Sequence, residues 1–313
     1  MGADTNMAAN GLPDRAHGAR ASFAERLRSP APLLLDGATG TELERRGVRT
    51  ALPLWSAHAL VEAPEIVERI HRDYAAAGAE ALTANTFRTH RRSLAKGGIG
   101  ARAGALTRSA VELARRAARD AGGRRVWVLG SAAPLEDCYR PDLVPGDAEL
   151  SREHAEHAEA LAAAGVDAIL VETMNRVREA AAAARAGLAT GLPVLVSFAC
   201  DGEARLLSGE PLAAALDAVV PLGPQALLVN CLPPRCVAAC LPVLARAGLP
   251  FGAYANLGAP NDATGFTRSD DCSTQDFAAS AAAWRADGAR IFGGCCGTGP
   301  EHVRALARCL LGA

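Results

Sequence analysis

The chain has 313 residues, of which 50% are hydrophobic and 21% are charged, and its formal net charge is −1 at pH 7. Two domains would fit this length, but α/β barrels often occupy it as one domain. The near-zero charge offers no electrostatic attraction for nucleic acid or an anionic membrane, and no apolar run reaches the roughly 18 residues of a membrane span. We therefore expect neither as a partner.

The N-terminal segment and the cysteines indicate a cytoplasmic protein. Residues 1–20 carry acidic side chains and lack the apolar core of a signal peptide, so we expect a disordered tail there. Residues 21–313 are expected to form one domain, with a short helix near 21–28 covering its floor. The nine cysteines follow no disulfide framework, which is typical of a reducing compartment where thiols stay buried or bind metal.

Short apolar segments alternate eight times with longer helical segments. Strands are predicted at 32–36, 79–84, 126–130, 168–172, 194–198, 226–230, 250–254 and 290–293. Helices are predicted at 64–77, 103–120, 147–164, 177–189, 211–220, 236–247, 275–287 and 300–311. Such alternation indicates an α/β protein with parallel strands, and eight units close a single (β/α)8 TIM barrel. An open doubly wound sheet is the alternative, but residues 36–40 do not match its GxGxxG fingerprint.

Polar side chains and cysteines follow the predicted strands at their C-terminal ends, where the active sites of such barrels lie. In chain order they are Asp36, Asn85, Glu172, Cys231, Asn256, Cys295 and Cys296. The sixth and eighth strands flank the seventh, so side chains at their ends can meet above it, across roughly two strand spacings of about 4.8 Å. We therefore expect the three cysteines to converge.

The paired cysteines in the glycine-rich run 293–298 indicate a metal site. Adjacent cysteines rarely form a strain-free disulfide, because their Cα atoms are closer than the usual bridge span. Cys295 and Cys296, joined by Cys231 from a distant strand, offer three thiolates and leave a fourth position open. That is the layout of a catalytic zinc site.

Simpler interpretations compete for several of these residues. A lone cysteine is more often a small buried hydrophobe than a ligand. Glu172 could be a solvated loop carboxylate, and Asp36 could be only the N-cap of the following helix. His154 and His157 lie on a charged predicted helix, so we expect them at the surface rather than in a metal site.

Taken together, the motifs resemble the zinc-dependent homocysteine S-methyltransferases. This family includes the S-methylmethionine- and betaine-using enzymes and the homocysteine-binding domain of cobalamin-dependent methionine synthase. The resemblance runs from about Leu33 to the C-terminus and rests on five ordered segments, at 35–41, 83–87, 171–173, 229–231 and 293–298. It implies zinc-dependent methyl transfer to homocysteine, forming methionine.

The resemblance also implies roles for the site residues. Zinc would be bound by Cys231, Cys295 and Cys296. The amino group of homocysteine would be held by Asp36 and Glu172, and Asn85 matches a polar position of the pocket.

Two further roles are our own assignments. Backbone N–H groups from Gly37 onward are candidates for the homocysteine carboxylate, since glycine-rich turns bind anions. Asn256, just past the seventh strand, is our candidate for the resting fourth zinc ligand, with water as the alternative.

The methyl donor is expected to be a sulfonium such as S-methylmethionine, the default for a free-standing domain of this length. Glu136, Asp137 and Tyr139, in the loop after the third strand, are candidates to hold this cation. That loop departs from the family pattern, and so does Tyr-Ala-Asn at 254–256, where Tyr-Pro-Asn is common. A betaine-like or partner-delivered donor is therefore the alternative.

A barrel that senses zinc or redox state is the competing, non-enzymatic function. Sensing would not require Asp36, Asn85 and Glu172 to face the thiols, whereas catalysis would. A Schiff-base aldolase is excluded, because the only lysine, Lys96, lies in a loop rather than at a strand end.

Overall fold

The computed structural model describes residues 22–259, 267–268 and 272–312. The disordered tail predicted for residues 1–20 lies outside these ranges, whereas every predicted site residue lies inside them. Within the described residues, no helix is both long and apolar enough to cross a bilayer.

Eight parallel strands form one barrel, so the predicted fold class is confirmed. We label them β1 to β8 in chain order: Leu33–Leu34, Ala81–Ala84, Trp127–Ala132, Ala168–Met174, Val194–Phe198, Ala226–Asn230, Phe251–Ala255 and Ile291–Gly294. Each strand pairs with the next in sequence from β2 to β8, and β8 pairs with β1. A single parallel bridge between Leu35 and Ala81 joins β1 to β2 and closes the ring.

Helices surround the strands. Those in the described residues, labelled α1 to α12, are Phe23–Arg28, Gly40–Arg45, Ala59–Glu62, Pro64–Ala77, Arg91–Lys96, Ala103–Arg119, Asp147–Ala163, Val177–Ala189, Leu212–Val219, Pro234–Ala245, Thr274–Ala286 and Pro300–Leu311. Helix α4 follows β1, and α6 to α12 follow β2 to β8 in turn. The short helices α2, α3 and α5 were not predicted, and they lie in the loops after β1 and β2. A two-stranded antiparallel ribbon, Gly258–Ala259 with Thr267–Arg268, follows β7.

The apolar residues form an inner and an outer core. The inner core fills the barrel with alternate strand residues such as Leu129 and Leu228, while the outer core lies between strands and helices. Phe23 and Leu27 of α1 belong to the inner core, and the ring of Phe23 meets that of Trp127 edge-on at 5.3 Å. Helix α1 therefore plugs the barrel at one end, as expected, and leaves the opposite end for a site.

The two histidines of α7 are buried, so their predicted surface location was wrong. His154 is 2% exposed and His157 is 4% exposed. The Nε2 atom of His157 bonds to the carbonyl of Ser131 at 3.1 Å, and that of His154 lies 3.3 Å from Glu179. Their spacing places both on the side of α7 that packs on β3 and α8, and the charged residues around them in sequence lie on the other side.

A third buried histidine, His71 of α4, generates a stability prediction. Neither of its ring nitrogens has a hydrogen-bond partner among the described residues, and burial lowers its pKa to about 4, with Glu68 opposing the shift. Since this pKa lies below that of an unfolded histidine, the histidine contributes stability above pH 6.5 that is lost as the pH falls towards 4. Between pH 7 and pH 5.5 the loss is about 1 kcal/mol.

The free energy of unfolding should fall between pH 7 and pH 5.5, and we expect this fall to be about 1 kcal/mol smaller in His71→Leu than in the wild type. Urea unfolding at the two pH values measures it. The matched control is His58→Gln, which changes a partly exposed histidine instead of a fully buried one and should not abolish the fall. An identical pH dependence in His71→Leu and the wild type would contradict the assignment.

Candidate metal and substrate site

Three cysteines meet at the C-terminal end of the barrel. Cys231 directly follows β6, and Cys295 and Cys296 directly follow β8. Their sulfur atoms all lie within 4.8 Å of one another, the only grouping of three such ligand atoms in the described part of the chain. The predicted convergence of the three thiols is therefore present in the structure.

Backbone hydrogen bonds fix the segment of Cys295 and Cys296 to the end of β7. The N–H of Cys295 donates to the carbonyl of Ala255 at 2.8 Å, and the carbonyl of Cys296 accepts from Leu257 at 2.7 Å. The next residue, Gly297, has a φ of +86°, and a Cβ there would lie 2.2 Å from the carbonyl oxygen of Leu257. Only glycine fits this turn, which explains the glycine after the cysteine pair.

Mutual contact perturbs the ionisation of the thiols. Hydrogen bonds from Cys231 and Cys296 hold the pKa of Cys295 well below its usual value. Contact with Cys295 and Cys296 raises the pKa of Cys231 well above its usual value. A soft cation that binds all three sulfur atoms would favour their thiolate forms. Three sulfur donors suit zinc and disfavour hard cations such as Mg²⁺.

The thiols lie in a cavity of about 360 Å³ that also contains Asp36 and Glu172. Glu172, near the end of β4, is 7% exposed, so it is not a solvated loop carboxylate. Its oxygens accept hydrogen bonds from the hydroxyls of Ser131 and, at 3.0 Å, Tyr254. Burial raises the pKa of Glu172 to about 7. A cationic group in the cavity would favour its charged form.

Asp36 binds the neighbouring strand instead of capping a helix. Its carboxylate accepts the backbone N–H of Thr83 at 2.7 Å and the hydroxyl of Thr83 at 2.9 Å. Burial raises the pKa of Asp36 to about 8. Gly37 follows it in the cavity lining, where a Cβ would lie 2.8 Å from the ring of Tyr74. A glycine is required for this close approach.

The two predicted asparagines lie outside the residues that line the cavity. Asn85 donates its amide to the carbonyl of Ser56 at 2.9 Å and so anchors the short helical turn that carries Trp55. Asn256 is 3% exposed, and its backbone N–H donates to Leu232, next to Cys231. The side-chain oxygen of Asn256 is buried without a hydrogen-bond partner among the described residues. It is therefore available as a ligand.

The loop after β3 reaches across the barrel to the thiols. The hydroxyl of Tyr139 lies 3.0 Å from the sulfur of Cys231, a contact that sequence reasoning missed. Asp137 lines the cavity as expected. Glu136 does not line it, because its carboxylate forms ion pairs with Arg92 and Lys96. The prediction that Glu136 holds a donor cation was wrong.

Aromatic and basic residues that sequence reasoning missed complete the cavity wall. Trp55 and Phe87 line it, with ring centroids 5.5 Å apart in an edge-to-face arrangement. Arg88 lines it next to Phe87. Phe87 lies in the segment 83–87 that was singled out for its resemblance, but nothing in the sequence indicated that the loop after β1 would bring Trp55 against it.

Comparison with known proteins identifies close relatives. A family model described as homocysteine S-methyltransferase matches residues 33–310. The homocysteine S-methyltransferase of Escherichia coli is 37% identical over 297 residues, covering 88% of this chain and 94% of the relative. The Bacillus subtilis homocysteine S-methyltransferase YbgG is 31% identical, covering 88% and 93%.

A solved structure agrees with these matches. The homocysteine methyltransferase MmuM from E. coli, in its metallated form, superposes with a TM-score of 0.75 at 32% identity, covering 89% of this chain and 96% of that one. The residues matched by the family model, 33–310, span nearly all the described residues, including the three cysteines. The chain therefore belongs to the homocysteine S-methyltransferase family.

Proposed function

We propose that this protein transfers a methyl group from a sulfonium donor, S-methylmethionine or a close relative, to the sulfur of homocysteine, and that zinc is its cofactor. The observation that carries the proposal is the contact of three thiols in a cavity that also holds two buried carboxylates. The family membership supports it independently.

The three cysteines fit the metal. Cys231, Cys295 and Cys296 would hold zinc, and the buried, unpartnered side-chain oxygen of Asn256 supports its role as the resting fourth ligand. When bound, zinc supplies a Lewis acid that lets a thiol be present as a thiolate at neutral pH. The hydroxyl of Tyr139 lies 3.0 Å from the sulfur of Cys231, so with Cys231 present as a thiolate it would donate a hydrogen bond to that sulfur and orient the side chain. We place the reaction in the cytoplasm, where reducing conditions keep cysteines available.

Homocysteine would be oriented by the two carboxylates. Glu172 and Asp36 accept hydrogen bonds from its ammonium group, which reverses the effect of burial by favouring their charged forms. Ser131 and Tyr254 fix the rotamer of Glu172, and Thr83 fixes that of Asp36. Backbone N–H groups from Gly37 onward would take the carboxylate of homocysteine. The amino acid is thus held at both ends.

The donor would lie against the aromatic wall of the cavity. The faces of Trp55, Phe87 and Tyr139 attract a sulfonium cation and exclude water from it. In the transfer, an electron pair of the homocysteine sulfur forms the new bond to the methyl carbon. The bond from that carbon to the donor sulfonium breaks, and its electrons remain on a neutral thioether. The thiol proton of homocysteine is released, and methionine is the product.

The cavity favours catalysis over the alternative function of sensing. A sensor needs the three thiols alone, whereas this cavity sets Asp36 and Glu172 beside them. The aromatic wall also accepts a betaine-like ammonium cation, so a betaine-like donor remains the alternative substrate on chemical grounds, alongside one delivered by a partner.

The first test of the proposed function is methionine formation by reduced, zinc-loaded protein supplied with homocysteine and S-methylmethionine. We expect Cys296→Ser to lose bound zinc and activity together, because serine is a poor ligand for zinc at neutral pH. Zinc content and methionine formation are measured on the same samples.

The matched control is Cys309→Ser, which changes an exposed cysteine of α12 and should leave both quantities unchanged. Full zinc occupancy and activity in Cys296→Ser would exclude this cysteine from the site.

We expect Glu172→Gln to keep its zinc and to raise the KM for homocysteine by roughly 10- to 100-fold, the range for losing a charge-assisted hydrogen bond. Steady-state kinetics with homocysteine varied at saturating donor measure this. Glu203→Gln changes an exposed glutamate outside the cavity and serves as the control. Unchanged homocysteine affinity in Glu172→Gln would remove this residue from the site.

A further inference from the structure

We propose that Arg88 binds the carboxylate of the methyl donor, so that the cavity selects a zwitterionic donor carrying both an onium cation and a carboxylate. This inference rests on the proposed function and names the class of its second substrate. None of the sequence motifs predicted a role for Arg88.

Arg88 combines deep burial with an incomplete set of partners. Its side chain lines the cavity and is only 7% exposed. Towards the described residues, only Nη1 forms hydrogen bonds, to the carbonyl of Glu136 at 3.2 Å and the hydroxyl of Ser93 at 3.5 Å. The Nε atom is buried without a partner among the described residues, and Nη2 has no hydrogen bond to any of them.

No carboxylate among the described residues lies within ion-pair distance of Arg88, although the chain has many arginine–carboxylate pairs elsewhere. Both of its hydrogen-bond acceptors are neutral. A buried guanidinium without a counter-charge is costly, because it has lost its hydration and gained only weak compensation. An anionic ligand that presents two oxygens to Nε and Nη2 would satisfy the side chain completely, since a guanidinium and a carboxylate bind in a fork-to-fork geometry.

The neighbours of Arg88 indicate which anion it receives. Its guanidinium lies 5.6 Å from the ring centroid of Phe87, which in turn packs edge-on against Trp55. The Glu136 carbonyl ties it to the loop that carries Tyr139. The same wall therefore offers aromatic faces for a cation and a guanidinium for an anion, which matches an amino acid sulfonium such as S-methylmethionine.

Homocysteine, the methyl acceptor, has other partners for its charged groups. Asp36 and Glu172, at the ends of β1 and β4, serve the ammonium group of homocysteine, and the amides from Gly37 onward serve its carboxylate. Arg88 lies in the loop after β2, in contact with the loop after β3. We therefore assign it to the donor, and kinetics with each substrate varied separately distinguishes the two sources of carboxylate.

The test compares wild type, Arg88→Met and Arg88→Lys with two donors, S-methylmethionine and its methyl ester, which differ in the donor carboxylate alone. For wild type, esterification should lower kcat/KM by roughly 10- to 100-fold. For Arg88→Met, the KM for S-methylmethionine should rise by a similar factor and esterification should have no further effect, because the two changes remove one interaction. Arg88→Lys keeps the positive charge but cannot form two parallel hydrogen bonds to a carboxylate. Its KM for S-methylmethionine and its loss of kcat/KM on esterification should lie between those of wild type and Arg88→Met.

Zinc content and homocysteine KM should match wild type in both variants, and the thermal midpoint of Arg88→Met should not fall below that of wild type. The control is Arg140→Met, which removes another arginine at this cavity, one already paired with Asp142 at 2.7 Å. It should retain the full penalty for esterification. A rise in the KM for homocysteine, instead of a rise in the KM for the donor, would show that Arg88 binds the carboxylate of homocysteine. That result would overturn the proposal. An undiminished ester penalty in Arg88→Met would overturn it as well.

Equilibrium binding distinguishes failure of the proposed function from failure of the proposal for Arg88. If wild type transfers no methyl group from either donor, the proposed reaction is wrong, and calorimetric titration with S-methylmethionine still tests Arg88. Weaker binding to Arg88→Met than to wild type supports the carboxylate site. Equal binding, or no binding to wild type, overturns it.

Discussion

Closure of the barrel between β1 and β2 is the constraint on which the site depends. The backbone supplies only one bridge there, between Leu35 and Ala81, because β1 is two residues long. Asp36 extends the junction with its side chain, which accepts both the N–H and the hydroxyl of Thr83. This closure brings the end of β1 beside the ends of β2 and β8, so a carboxylate, the aromatic loop and the cysteine pair share one cavity.

Burial at this end of the barrel sets the chemistry of the site. Asp36 and Glu172 have pKa values raised to about 8 and about 7, so burial in this cavity disfavours two negative charges. Hydrogen bonds to Cys295 and Cys296 raise the pKa of Cys231 well above its usual value, so the three thiols also resist full ionisation. Each group therefore gains from a cationic ligand: the carboxylates from an ammonium group and the thiols from a metal ion. Arg88 is the opposite case, a buried cation that gains from an anion.

Features set by strand order were predictable from sequence. The periodic alternation indicated eight parallel strands, and parallel strands place their ends at one face, so the meeting of Cys231 with Cys295 followed from topology. Features set by loops were not predictable. The contact of Tyr139 with Cys231 depends on how far the loop after β3 extends, and the role of Glu136 depended on Arg92 and Lys96 from another loop. The burial of His154 was hidden by the charged residues that surround it in sequence.

Zinc-edge X-ray absorption on the reduced protein, with and without homocysteine, would show which atoms bind the metal before and after the substrate is added. We expect zinc to be bound by three sulfur atoms and one oxygen atom in the resting protein, and by four sulfur atoms after homocysteine is added. This result would show that the three cysteines hold the metal and that the substrate sulfur takes the remaining position. Protein that binds no zinc, or a coordination shell that is unchanged by homocysteine, would contradict the assignment of the three cysteines and the substrate sulfur as the zinc ligands.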